Sequence, residues 1–285
     1  MAEKNYRAEL TGCFGDPVDG NPTGVLMEAG YAAAGLNYRY ITCRVKVEDL
    51  EDSIRGMRAM NMRGVNLTMP HKIEVIRHLD GLSEAARIIG AVNVVINDNG
   101  RLTGENSDGK GFVQSLTLEG VSLKDKTLTI LGAGGAAKAI GVECALAGAK
   151  QLHIINRNAQ RGEELVNTIN QHTSAKADYI PWNGAADIPA DTEILVNATC
   201  VGLFPDVDAC PDVDYDQITA DMVVADVIFN PIEPLFIKKA AAKGAKVVPG
   251  IAMLVDQGVI GFKCWTGVEP SREIMMDALK KEFEG

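Results

Sequence analysis

The sequence lacks the features that most quickly place a chain in a class. None of its six cysteines, at positions 13, 43, 144, 200, 210 and 264, stands at C-x-x-C spacing. No cysteine–histidine cluster has the spacing of a zinc site, so no metal is expected. Scattered cysteines in a chain of 285 residues read as buried thiols in a reducing compartment. The N-terminal stretch "MAEKNYRAEL" has no apolar signal-peptide core. No apolar run is long enough to span a bilayer as a helix. Positive charge is short as well: the formal net charge is −10, a poor match for nucleic acid or an anionic membrane. Internal repeats, low-complexity tracts and Pro/Ser-rich linkers are absent. A cytoplasmic protein is expected, binding neither nucleic acid nor membrane. A local basic pocket can still oppose the global sign, so anionic small molecules are not excluded.

What is present reads as an ordinary globular chain. Hydrophobic residues make up 46% and charged residues 23%, enough to bury a full core. The length suits one large domain or two ordinary ones. In the first half, strand-like and helix-like segments alternate. "RAELTGCFG", "YRYITCRV" and "RGVNLTM" read as strands. "TGVLMEAGYAAAGL", "VEDLEDSIRGMRAMN", "HKIEVIRHL" and "SEAARIIG" read as helices, with Ser83 as N-cap of the last. "AVNVVIND" and "NGRLTGEN" read as a hairpin around Asn99-Gly100. From about residue 125 the pattern changes to strand, glycine turn, helix, strand, a βαβ unit. Further strands at "EILVNAT", "MVVADVI" and "KVVPG" and a helix at "PLFIKKAAAKG" predict a parallel sheet covered by helices. "MLVDQGVIGFKCWTG" and "SREIMMDALKKEF" read as two closing helices, and the two tryptophans and Met275-Met276 as packing residues.

The glycine turn "GAGGAA" (132–137) follows the strand "LTIL" and opens a helix. Gly132 permits the tight turn and Gly134 lets the backbone approach a diphosphate. The helix start at Gly135 and Ala136 offers unpaired N–H groups and a positive dipole end. Enzymes selective for NAD usually carry an acid at the end of the next strand. Here that rim reads "INRNAQRGEE", with Asn156, Arg157 and Arg161 and no acid before Glu163. Two guanidinium groups beside a ribose suit a 2′-phosphate, so NADP is the expected cofactor, with NAD as the alternative.

The stretch "GVNLTMPHK" (64–72) begins as a strand, Val65 and Leu67 alternating with Asn66 and Thr68, and a proline ends it. Polar and cationic groups packed so closely need a solvated rim or a partner. Lys72 reads as a proton-transfer group and His71 as a rim residue. Oxidation of a secondary alcohol removes the hydroxyl proton as hydride leaves the carbon; the reverse step needs a proton donor. A lysine does both when burial favours its neutral amine.

With "IGAVN" (89–93), "GENSDGKGF" (104–112), "LGAGGAAKA", "NR" (156–157), "NATCVG" (197–202) and "GIAMLVDQG" (250–258), the chain resembles the shikimate/quinate dehydrogenases over essentially its whole length. The resemblance implies an α/β fold of two domains with a cleft between them. An N-terminal substrate domain would take residues 1–110 and 258–285, and a Rossmann-type NADP domain with a parallel sheet residues 111–257. It implies hydride transfer between nicotinamide and a ring hydroxyl or ketone of a cyclic hydroxy acid, and a place in aromatic amino acid biosynthesis. Lys72 would be the catalytic lysine with Asp108 as its partner. Asn66, Thr68, Asn93 and Gln257 would bind substrate. Thr199, Gly202, Gly250 and Met253 would line the nicotinamide end. A monomer or homodimer is expected.

The match departs from the family at two places. Where the family carries two serines that bind the substrate carboxylate, the segment "GDPVDGNPTG" has Asn21 and Thr23, with Asp19 nearby. Phe229 stands in "DVIFNP" where a tyrosine is common. Both replacements at 21 and 23 can still donate hydrogen bonds. The departures keep quinate, an amino-substituted ring or another cyclic polyol open as substrate. A different dinucleotide enzyme on the same frame is opposed by the "NSD" and "GIAMLVDQG" blocks. A non-catalytic ring-acid sensor is opposed by the retention of Lys72 and Asp108.

Overall fold

The structure, a computed structural model, describes residues 6–284. Residues 1–5, half of the stretch read above as lacking a signal sequence, lie outside the described residues. The chain divides into two α/β units, Met1–Ser107 with Gln257–Gly285, and Asp108–Asp256.

In the first unit, strand β1 (Glu9–Gly15) leads through helix α1 (Thr23–Ala33) to β2 (Tyr38–Arg44), then through α2 (Leu50–Ala59) to β3 (Gly64–Leu67). The short helix α3 (His71–Glu74) runs on as a 3₁₀ turn over Val75–His78. Strand β4 (Gly81–Leu82), helix α4 (Glu84–Ile89) and strands β5 (Val94–Asp98) and β6 (Arg101–Glu105) complete the N-terminal part. The sheet order is β2-β1-β3-β5-β6-β4. Its β2-β1-β3 half is parallel, as helical crossovers require, and β3, β5 and β6 pair antiparallel. The β5–β6 turn is Asn99-Gly100 with φ of 51° and 95°, the twist-matched hairpin that this dipeptide favours. Ser83 caps α4, its hydroxyl accepting the Ala86 N–H at 3.1 Å.

Helix α2 carries Leu50, Ile54 and Met57 at helical spacing, and all three are buried against Val65, Leu67, Val95 and Leu102. Full burial of such side chains stabilises by roughly 1.5–3 kcal/mol each. On the other side, the first unit's share of α9 (Gly250–Thr266) and helix α10 (Arg272–Glu284) pack with α1. Tyr31 stacks on Phe262 at 5.0 Å, and the Trp265 indole N–H donates to the Val95 carbonyl at 3.0 Å.

The second unit opens with most of α5 (Ser107–Leu118), followed by β7 (Thr127–Leu131), α6 (Gly135–Leu146), β8 (Gln151–Asn156), α7 (Ala159–His172) and β9 (Lys176–Pro181). Then come β10 (Ile194–Asn197), β11 (Val223–Asp226), α8 (Leu235–Ala242) and β12 (Lys246–Val248). The strands run β12-β11-β10-β7-β8-β9, and every pairing is parallel. Numbered within the unit this is the doubly wound order of dinucleotide-binding folds, with its direction reversing between β7 and β10. The mostly apolar, fully buried β7 and β10 fit a sheet covered on both faces.

Two strands escaped the sequence reading. β4 is a two-residue stub, and β9 is an edge strand whose "KADYIP" mixes charge with a terminal proline. The expectation that the scattered cysteines are all buried is corrected: Cys13 and Cys144 are buried, Cys43, Cys210 and Cys264 partly so, and Cys200 is exposed.

Gly64 is required by close packing. A Cβ there would overlap the Trp265 indole and the Val95 carbonyl, which hydrogen-bond each other. Gly64→Ala is expected to destabilise by roughly 1–3 kcal/mol in urea unfolding. Gly56→Ala, in α2 with open space where its Cβ would go, is expected to stabilise by about 0.5–1 kcal/mol. Equal effects of the two would refute this packing account.

Candidate active site

In the second unit, functional groups collect at the carboxyl ends of β7, β8 and β10, where the strand order reverses. Gly132 leaves β7 with φ of 109°, its N–H bonded to the Ile155 carbonyl at 2.8 Å. A Cβ there would come within 3.1 Å of the Ala198 carbonyl, so the turn tolerates only glycine. Gly134 and Gly135 at the start of α6 are different. Both are exposed, and a Cβ on either would project into open space. Their bareness serves no contact inside the chain. It leaves the first N–H groups of α6, Ala136 included, open to a diphosphate, so the cradle fits a dinucleotide.

Asn156 ends β8 and donates to the Asn158 carbonyl at 2.8 Å. Asn158 caps α7, accepting the Arg161 N–H at 2.9 Å. This fixes a loop from which Arg157 and Arg161 extend, both exposed. Asn156, Arg157, Trp182 and Thr199 line one cavity of about 260 Å³. Trp182 is only half-buried there, unlike Trp265, which is 1% exposed; only the latter is the simple packing residue the sequence suggested.

Thr199 is held by a buried network. Its N–H and hydroxyl both donate to Asn197 Oδ1, at 3.1 and 2.7 Å, and the Asn197 amide donates to Asp226 Oδ1 at 2.9 Å. Gly202 follows with φ of 94°, close to the Ala209 carbonyl. Gly250 starts α9 against the Val227–Ile228 backbone, with no room for a Cβ, and Met253 is buried one turn on. Asp226 itself is 1% exposed, and burial pushes its carboxyl up to about 7 against the pull of the Ile228 and Val227 N–H groups and Asn197.

In the first unit, polar groups gather at the ends of β1, β2 and β3. Asn66 donates to the Asn93 carbonyl at 3.1 Å and accepts from the Tyr40 hydroxyl at 2.7 Å. Asn93 is buried; its amide donates to Ser107 Oγ at 3.1 Å and reaches Gln257 Oε1 at 3.4 Å, while its Oδ1 accepts the Ser107 N–H at 2.7 Å. Asn21 Oδ1 accepts the Thr23 N–H at 3.0 Å, and its amide points at Cys13 Sγ, 3.6 Å away. Burial pushes the Cys13 thiol up to about 12, opposed by the charge of nearby Lys72. Lys72 lies on α3, half-buried, its carbonyl taking the Val92 N–H at 2.7 Å. Thr68 precedes the turn, its carbonyl taking the His71 N–H at 3.0 Å. Asn66, Asn93 and Gln257 therefore form one hydrogen-bonded set, Asn21 and Thr23 a second beside Cys13, and Lys72 lies near both. Asp108 is the first residue of the second unit, buried in the opening turn of α5.

The expectation for His71 is corrected. It is 1% exposed, its Nε2–H donating to the Val45 carbonyl at 2.7 Å, and so it is a core histidine rather than a rim residue. Sequence reasoning missed Cys13, Tyr40, Asn197 and Asp226. Tyr40 was findable as the inward residue of "YRYIT"; nothing in the sequence marks Cys13 as part of a polar cluster. Among the described residues, no group of three or more His, Cys, Asp or Glu could hold a metal ion.

Comparison with known proteins gives the kinship. Residues 13–95 match the shikimate dehydrogenase substrate binding domain, residues 115–202 the shikimate/quinate 5-dehydrogenase family, and residues 250–280 the shikimate 5′-dehydrogenase C-terminal domain. A shikimate dehydrogenase (NADP(+)) of Desulforamulus reducens is 39% identical over 98% of this chain and 97% of its own. The chain belongs to the shikimate dehydrogenase family. Among solved structures, a shikimate dehydrogenase in complex with NADP+ superposes with a TM-score of 0.90 at 35% identity, covering 98% of this chain and 97% of that one. The ligand-free 5-ketofructose reductase of Gluconobacter sp. strain CHM43 superposes with a TM-score of 0.96 at 46% identity, covering 98% of this chain and 100% of that one. This family member thus keeps the frame these structures share.

Asp226 gives a pH signature. Below about pH 4 its carboxyl is neutral in both folded and unfolded chains. As pH rises toward 7 the unfolded chain ionises first, so this group's contribution to stability falls, and the loss is complete above its folded value. A shift of about three units corresponds to at most about 4 kcal/mol. Asp226→Asn keeps the Oδ1 acceptor and cannot ionise. Urea midpoints of variant and wild type are expected to diverge in the variant's favour between about pH 4.5 and 8; a constant gap would refute the raised value.

Proposed function

We propose that this family member is an NADP-dependent oxidoreductase that transfers hydride between nicotinamide and a ring hydroxyl or ketone of shikimate or a close analogue. The carrying observation is the hydrogen-bonded set Asn66–Asn93–Gln257 with Lys72 beside it, in a chain that also has a bare glycine cradle. Three neutral amides suit a polyhydroxylated substrate. When bound, NADP supplies or accepts the hydride. Lys72 moves the proton of the reacting oxygen, taking it on oxidation and returning it on reduction, and Asp108 orients it. Gly132, Gly134, Gly135 and Ala136 would hold the diphosphate, and Asn156, Arg157 and Arg161 the ribose 2′-phosphate. Thr199, Gly202, Gly250 and Met253 would bound the nicotinamide. In this reading residues 1–110 and 258–285 serve the substrate and 111–257 the cofactor. The enzyme works in the cytoplasm as a monomer or homodimer; no helix among the described residues is long and apolar enough to cross a membrane.

A second reading concerns the substrate's charge. Asn21 and Thr23 replace the serine pair, and Asp19 adds negative charge nearby. A relative 46% identical over the full length is named for 5-ketofructose, a ketone with no carboxylate. A neutral polyhydroxy ketone is therefore the alternative substrate class.

The direct test is cofactor oxidation or reduction measured with shikimate, quinate and 5-ketofructose. Lys72→Ala should lower turnover at least about a hundredfold and leave NADP affinity nearly unchanged. A variant keeping more than about a tenth of the activity would remove lysine from the chemistry.

Cofactor choice is tested separately. Arg157→Ala with Arg161→Ala should weaken NADP by roughly ten- to a hundredfold and NAD much less, since a charge-assisted contact contributes about 1.5–3 kcal/mol. Equal weakening of both cofactors would mean that these arginines do not read the 2′-phosphate.

A further inference from the structure

Trp182 is a large apolar ring on the wall of a cavity that also carries polar and charged groups. It follows β9 directly, and both of its hydrogen-bond donors are used inside the chain. The main-chain N–H donates to the Asn156 carbonyl at 3.2 Å, and the indole N–H donates to the Asp212 carbonyl at 2.9 Å. The Asn156 carbonyl also accepts the Tyr179 hydroxyl at 3.0 Å, which ties the end of β9 to the end of β8 a second time. The ring is therefore held in place beside the strand end that carries Arg157. Part of it packs against the core cluster that contains Leu131, Leu195 and Val213. The rest borders the cavity of about 260 Å³, and with its one N–H spent it offers that space apolar ring surface. Among the described residues, no ring–ring or cation–π pairing uses that surface.

Charge divides the cavity as well. Arg157 and Asp212 are the charged residues that line it. Arg157 suits an anion, whereas Asp212, whose carbonyl holds the indole, opposes one. What fits beside Trp182 is therefore a flat, neutral group. The space falls below the roughly 300–1,000 Å³ of pockets that enclose drug-sized ligands, so it takes one ring system rather than a whole dinucleotide. We infer that Trp182 is a binding residue for the adenine of the dinucleotide: the neutral base stacks on the fixed indole, while Arg157, lining the same cavity, takes the ribose phosphate. The inference rests on the dinucleotide reading above and adds a contact that NADP and NAD share. Arg157 and Arg161 tell the two cofactors apart; Trp182 adds affinity for both alike.

The test is titration calorimetry of wild type, Trp182→Ala and Trp182→Phe with NADP, NAD and adenosine 2′,5′-bisphosphate. The last keeps the base and the 2′-phosphate and lacks nicotinamide. Trp182→Ala should weaken all three by about ten- to a hundredfold, the range of base–aromatic stacking. Trp182→Phe keeps an aromatic face and should stay within about threefold of wild type. Fluorescence supplies a readout that a merely structural role would not move. Trp182 and Trp265 are the chain's two indoles, and Trp265 is buried in the first unit with its N–H on the Val95 carbonyl. Adenosine 2′,5′-bisphosphate should quench the wild-type emission, and nicotinamide mononucleotide, which has no adenine, should not. Trp182→Phe should bind the bisphosphate and show no quench. A Trp182→Ala variant that weakens NADP and spares NAD overturns the inference, because the residue would then read the phosphate. So does a Trp182→Phe variant as weak as Trp182→Ala, or a wild type that binds the bisphosphate without quenching. A wild type that binds neither NADP nor NAD overturns the dinucleotide reading beneath it as well.

Discussion

The main-chain carbonyl of Asn93 is the fixed point of the first unit. It accepts the Leu67 N–H at 2.9 Å and the Asn66 amide at 3.1 Å. One bond ties the end of β3 to the entry of β5, and the other sets which way the Asn66 side chain faces. Both lone pairs are then used, and an amide flip at Asn66 would put two acceptors face to face in a part-buried site. From that orientation follows, on one side, that the Tyr40 hydroxyl donates to the Asn66 carbonyl. On the other, the Asn93 side chain carries the network to Ser107 and Gln257. A backbone acceptor cannot be altered by side-chain substitution, so the polarity of the whole set rests on a group that mutation does not reach.

The second unit uses a different constraint. Its strands are parallel, so all their carboxyl ends share one edge, and the reversal of strand order between β7 and β10 opens that edge. Gly132 turns the chain there, while Gly134 and Gly135 leave the helix start uncovered. Asn197 and Asp226, at the ends of adjacent strands, hold the loop that bears Thr199. The buried carboxyl is costly when ionised, and its position between two backbone N–H groups and an amide explains why the loop geometry needs an oxygen there.

Much of this was legible in the sequence wherever one residue type has one physical use. Asn99-Gly100 fixes a hairpin because both positions need positive φ, and Gly132 fixes a turn because nothing larger fits. Apolar spacing at Leu50, Ile54 and Met57 gave a helix face. Legibility failed where the deciding quantity is three-dimensional. β9 is an edge strand recognised only by its partner β8, since its sequence alternates too weakly. His71 lies in a motif full of rim residues, yet its imidazole finds a buried carbonyl on a loop 26 positions away. Tyr40 is visible as an inward residue, but its bond to Asn66 depends on the register of β2, β1 and β3, which places distant positions side by side.

The buried His71 has an evolutionary consequence. Its N–H is bonded to Thr68, its ring to Val45, and the next carbonyl, that of Lys72, to Val92. The backbone bearing the lysine is thus clamped from three directions. The opposite end, at Asn21, Thr23 and Tyr40, is held mainly through side chains. Single substitutions can therefore reshape that end, while the backbone bearing Lys72, the proposed proton-transfer residue, stays unchanged. With the roles proposed above, a fold so divided can change what it acts on without relearning how it acts.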